Sequence, residues 1–115
     1  MQIVKIHPAD ADKKTIYNLT MSPKVKQMRT IKGCRLEVCA WVIYEDEDAK
    51  TGEVKQILAI QDPEGEVYGT NSATFTEDFL RMVDIFGPDG IDALEIISGT
   101  SKAGREFITC AYAGE

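Results

Sequence analysis

The clearest order in the chain has a period of two. From Arg35 to Glu45 the sequence reads RLEVCAWVIYE, which puts Leu36, Val38, Ala40, Val42 and Tyr44 on one side of an extended strand and Arg35, Glu37, Cys39, Trp41 and Ile43 on the other. Successive side chains of a strand point to opposite faces, so the uniformly apolar set is expected to face the core. The acidic stretch Glu45-Asp46-Glu47-Asp48 runs into a Thr51-Gly52 turn, and Val54–Gln61 reads as a second strand. Pro63-Glu64-Gly65 makes a tight turn before a short third strand, Glu66–Thr70. The period then becomes helical: Phe75, Phe79, Met82, Val83 and Phe86 form one stripe. Thr74 with Glu77 three residues on fits a capping box, and Gly87-Pro88 stops the helix. Ile91–Ser98 and Arg105–Tyr112 read as two final strands joined by the polar hairpin Gly99–Gly104.

Upstream the pattern is weaker. Residues 2–7 alternate briefly and predict a short edge strand ended by Pro8. Residues 13–29 carry Ile16, Leu19, Met21, Val25 and Met28, split by Pro23, and predict a turn and a short helix over 23–29. The body therefore has the order β-β-β-α-β-β. That order predicts a mainly β, OB-fold-like five-stranded barrel, although an unrelated α+β sheet shares it. With 115 residues the chain is one domain: a basic N-terminal arm over 1–33 packed on a barrel over 34–115.

Charge sharpens this division. The formal net charge is −6, yet residues 1–33 hold seven Lys/Arg against two acids, while 34–115 hold six against seventeen. No acid lies between Lys13 and Arg35. A basic arm on an acidic body suits either an anionic partner or its own acidic surface. No stretch reaches the roughly 20 apolar residues of a membrane span, and the start of the chain lacks the pattern of a secretory signal, so a cytoplasmic protein is expected. Cys34, Cys39 and Cys110 are an odd number set in apolar runs, which predicts reduced, buried thiols and neither a disulfide framework nor a zinc site.

The motifs of catalysis are missing. The one histidine, His7, sits beside a proline near the start; there is no nucleophile elbow and no Walker-type loop. Gly99-Thr100-Ser101-Lys102 superficially resembles a phosphate loop but lies between strands, without the helix N-terminus such a loop needs. The acidic run lacks the spaced ligands and glycine of a calcium loop. No enzyme, metal or cofactor is expected. A binding surface is easier to build. In OB domains ligands cross the second and third strands, walled by the loops joining strands one to two and four to five. Single-stranded nucleic acid needs aromatic rings for stacking and cations along its backbone there. The candidates are Tyr68, Trp41 and Phe107, each on a face of mixed polarity, with Lys24, Lys26, Arg29 and Lys32 from the arm, Lys55 opening the second strand, and Lys102 and Arg105 bracketing the last hairpin. The plainer reading makes Trp41 and Phe107 core residues. Phe75 and Phe79 share the buried stripe and are expected to plug the barrel.

Three segments carry a family resemblance: Tyr17-Asn18-Leu19-Thr20-Met21-Ser22-Pro23-Lys24-Val25, Tyr68-Gly69-Thr70-Asn71-Ser72-Ala73-Thr74-Phe75, and the run from Ile97 to Cys110. Over roughly residues 15–112 the chain resembles the small single-stranded-DNA-binding proteins of phages and prophages of Gram-positive bacteria. The resemblance implies coating of displaced single strands during phage DNA replication, by stacking and phosphate contacts without base-specific readout, in the host cytoplasm. It assigns no individual residue. Unlike the housekeeping bacterial single-strand binders, the sequence shows no Gly/Pro-rich linker and no long acidic tail after Tyr112, so recruitment of replication proteins through such a tail is not expected. A homodimer through the strand at residues 2–7 is a further expectation. The alternative is a β-barrel module that binds a phage or host protein through its acidic surface.

Overall fold

The computed structural model describes residues 1–114; Glu115, the last residue of the expected barrel, lies outside the described residues. The long strand expected at 35–45 forms, but in two pieces. β3 (Arg35–Glu37) and β4 (Ala40–Glu47) are separated at Val38-Cys39 and belong to different sheets. The break shifts the phase of the alternation. Leu36 shares a core with Trp41 and Ile43, whereas Ala40, Val42 and Tyr44 face the opposite way into a second cluster. Both faces of β4 are consequently buried, which corrects the expectation of a polar side carrying Trp41.

Around β4 the chain builds a five-stranded sheet in the order β1-β4-β5-β6-β2, where β1 is Gln2–His7, β2 Lys26–Gln27, β5 Val54–Gln61 and β6 Val67–Thr70. β4 and β5 pair antiparallel along their full length, from Ala40 opposite Gln61 to Glu47 opposite Val54. β2 pairs parallel to β6 at two positions, Lys26 with Tyr68 and Gln27 with Gly69. A second, three-stranded sheet runs β3-β7-β8, with β7 at Ala93–Thr100 and β8 at Glu106–Tyr112. The last two strands thus stand where the sequence puts them, β7 displaced by two residues.

α2 (Ala73–Phe86) lies between β6 and β7 and packs Phe75, Phe79, Met82 and Val83 into the main cluster, alongside Leu58, Ile60, Leu94 and Ile96. Its N-cap is Ser72, whose hydroxyl accepts from the Phe75 N–H at 3.2 Å, and not Thr74. Gly87, at φ +84°, ends it as expected. Phe86 leaves the stripe: it is half-exposed and stacks on Tyr112 at 4.2 Å.

The helix of the N-terminal segment precedes Pro23. α1 (Lys13–Thr20) is capped by Asp12, which accepts from Thr15 N–H at 2.8 Å, and buries Leu19 against the outer face of the five-stranded sheet. Residues 23–29, expected to be helical, instead contribute a turn, β2 and the start of a 3₁₀ turn over Met28–Ile31, with Met28 fully buried in the main cluster. The architecture is mainly β and compatible with a small OB-like fold. Its hydrogen-bonded ladder does not close, because β2 takes the edge of β6 and β8 pairs only with β7. No helix is long and apolar enough to cross a membrane.

Candidate nucleic-acid interface

The gap between β6 and β8 is an open cleft of about 990 Å³. One wall is Val25–Thr30 with Lys32, and the other is Glu106-Phe107-Ile108 of β8. Gly69–Ser72, the end of β6 and the start of α2, with Ile57 and Tyr44 behind them, complete the lining. The lining holds three cations, Lys26, Arg29 and Lys32, against one carboxylate, Glu106. The N-terminus of α2 opens into it, and a helix N-terminus favours anions.

Phe107 is the exposed aromatic of this cleft, Tyr44 being buried behind it. It faces Gly99 across the β7–β8 ladder and is 39% exposed. Its ring lies over Gly99 so closely that a β-carbon there would stand 2.6 Å from Cζ. A half-exposed ring held flat on a strand pair is a ready stacking surface. The cationic wall is tied to the body by two ion pairs. Lys32 Nζ meets Glu106 Oε1 at 2.7 Å, and Lys26 Nζ meets Glu66 Oε2 at 3.0 Å, with all four side chains substantially exposed. These contacts hold the Glu106 carboxyl below, and the Lys26 ammonium above, their ordinary pKa values. Arg29 has no carboxylate partner among the described residues.

The other candidates fall at graded distances from this centre. Tyr68 is half-buried against the main cluster, and the Lys26 ammonium stands 5.9 Å from its ring centroid, so it backs the cationic wall without lining the cleft. Lys24 lines an adjoining smaller hollow with Ser22, Val25 and the Glu64–Val67 turn. Lys55 is exposed on the face of β5 that carries Ile57, one pleat repeat (about 7 Å) beyond the lining. Lys102 and Arg105 are exposed at the tip of the β7–β8 hairpin, next to Glu106 but outside the lining. Trp41 does not belong to the surface. It is 1% exposed, packs edge-on to Phe79 at 5.1 Å and donates its indole N–H to the Pro88 carbonyl at 3.2 Å. No base can reach its face while the core is intact.

Sequence reasoning missed Thr30, Asn71, Ser72 and Tyr44. Tyr44 gives little away because it sits in a continuous apolar run; its hydroxyl donates to the Thr20 carbonyl, and burial, followed by Asp46, raises its pKa. The cysteines also divide. Cys110 is buried, and desolvation pushes its thiol up to about 12, but Cys34 and Cys39 are exposed where burial was expected. Among the described residues no cluster of His, Cys, Asp and Glu has the makings of a metal site.

The family model described as phage single-stranded DNA-binding protein matches residues 7–112. That span takes in both helices, every residue of the cleft lining and both sheets apart from residues 2–6 of β1. No curated protein and no solved structure matches the chain.

Proposed function

Because this chain belongs to the phage single-stranded DNA-binding protein family, and so is a single-stranded DNA-binding protein of phage replication, we propose that the cleft between β6 and β8 is where the strand lies. The observation that carries this reading is a contrast of charge. On a chain of net charge −6, one concavity collects Lys26, Arg29 and Lys32 beside an exposed phenylalanine ring. Phosphates seek the cations and a base stacks on Phe107, the combination that holds single strands without reading their sequence. Lys24, Lys55, Lys102 and Arg105 flank the cleft and extend the path of the backbone; Tyr68 supports Lys26. The protein coats single strands displaced in phage DNA replication, by binding and not by catalysis, in the host cytoplasm. Replication proteins are its further partners, and the outer edge of β1, unpaired in the sheet order, offers a route to a homodimer.

Titration of labelled oligo-dT tests the assignment. Phe107→Ala weakens binding about 5- to 150-fold, the range of one lost base stack of about 1–3 kcal/mol, and leaves the salt dependence unchanged. Arg29→Ala instead flattens the log–log salt slope by about 0.7, one phosphate contact. Unaltered affinity in both variants would remove the cleft as the site. A protein-binding role is the second reading, favoured by the exposed Ile85 and Phe86 at the end of α2, outside the cleft lining. Absence of oligo-dT binding even at low salt would turn the assignment to it.

A further inference from the structure

Two of the three cations in the cleft are already occupied. Glu106 reaches Lys32 from β8, on the opposite wall, and Glu66 reaches Lys26 from the segment leading into β6. Each carboxylate takes up one N–H donor and much of the charge that a phosphate oxygen would draw on at the same ammonium. We propose that Glu106 and Glu66 are affinity-setting residues that compete with the DNA backbone for Lys32 and Lys26, so that a strand enters the cleft by displacing them. This rests on the cleft being the DNA site.

The physical case is one of exchange. A phosphate that takes Lys32 from Glu106 gains one contact and breaks another, and it leaves a carboxylate in the cleft that repels it and draws in a solution cation. The free-state ion pairs are exposed at 2.7 and 3.0 Å, strong enough to hold the ammonium groups and weak enough to be exchanged. Arg29, with no carboxylate partner among the described residues, is the cation open to first contact. The device limits affinity without removing the site, and it suits a protein that must release its strand.

Glu106→Gln keeps the shape of the side chain and removes its charge. Relieving both the broken pair and the residual repulsion tightens oligo-dT binding about 3- to 10-fold at low salt. The log–log salt slope steepens by about 0.7, because the Lys32 contact now brings a net release of counterions. Glu66→Gln acts in the same direction through Lys26. Asp84→Asn serves as the control for total charge. Asp84 is exposed on α2, twelve residues beyond Ser72 and roughly 18 Å along the helix, well outside the Debye length of about 8 Å at physiological salt. The decisive comparison puts Glu106→Gln into a Lys32→Ala background, where the gain must fall to the part that relieves repulsion alone. Equal affinity of wild type and Glu106→Gln overturns the proposal. So does a gain matched by Asp84→Asn, or one undiminished without Lys32. In each of these cases wild type still binds oligo-dT and loses affinity with Phe107→Ala, so the cleft stands and only the competition falls. A wild type that binds no oligo-dT removes both.

Discussion

Gly99 decides where the Phe107 ring can lie. A β-carbon at position 99 would stand 2.6 Å from Cζ, nearer than real β-carbons come, and a tight 3.1 Å from both Cε atoms. The colliding atoms belong to the far end of a partly exposed side chain, so the ring moves and the backbone does not. Gly99→Ala is therefore expected to keep its thermal midpoint within a few degrees, since alanine is better tolerated than glycine in a strand. Oligo-dT affinity should fall toward that of Phe107→Ala. Wild-type affinity in the variant would show that the ring's present seat does not matter for binding. Phe107 was legible because Arg105 and Thr109 alternate with it, marking a face that is only partly covered. Trp41 was misread for the converse reason. Alternation reports one covered face, and β4 is covered on both, by α2 on the Trp41 side and by α1 on the Val42 side. Cys34 and Cys39 failed similarly: they lie at the ends of β3 and outside it, where an apolar neighbourhood in sequence is not burial in space.

At the scale of elements, strong periodicity gave existence and type, while ends followed local chemistry that has more than one solution. The stretch Asn71-Ser72-Ala73-Thr74 offers several side chains able to cap α2, and the capping-box spacing favours Thr74. Ser72 caps it because the chain leaves β6 at Thr70 and must begin turning at once; the Thr70 hydroxyl accepts from the Ser72 N–H at 3.1 Å. Ser72→Ala should accordingly lose about 1 kcal/mol in urea denaturation, whereas Thr74→Ala, exposed inside the helix, should lose almost nothing. The reverse ranking would restore Thr74 as the cap. α1 escaped notice because a helix of eight residues with one buried side chain leaves little periodicity to find. Its real signal was Asp12, an acceptor three residues before the N–H it caps.

For the whole molecule, the order of elements in the body was readable and the way the sheet ends was not. Barrel closure would bring β8 to β6. Two residues of the N-terminal segment take that edge instead, in a parallel pairing that no local pattern announces. The same event makes the cleft and puts the cations on its wall, since Lys26 is in the ladder and Arg29 and Lys32 follow directly. The charge asymmetry of the first 33 residues signalled cations in need of a counterpart, but only the pairing of β2 shows which of them gather. Lys13 and Lys14 ride away on α1; Lys26, Arg29 and Lys32 do not.

The shortness of that pairing has a kinetic meaning. A two-residue ladder, pinned at one end by Met28, can unzip without disturbing the rest of the sheet, so the amides around Lys26 and Gln27 should surrender their protons to deuterium long before those of β4 and β5. A bound strand that grips only the zipped form would slow that exchange by the factor 1 + [L]/Kd, the reciprocal of the unbound fraction. The rate at which one short wall breathes would then be a direct gauge of occupancy, recorded in the protein with no label on the DNA.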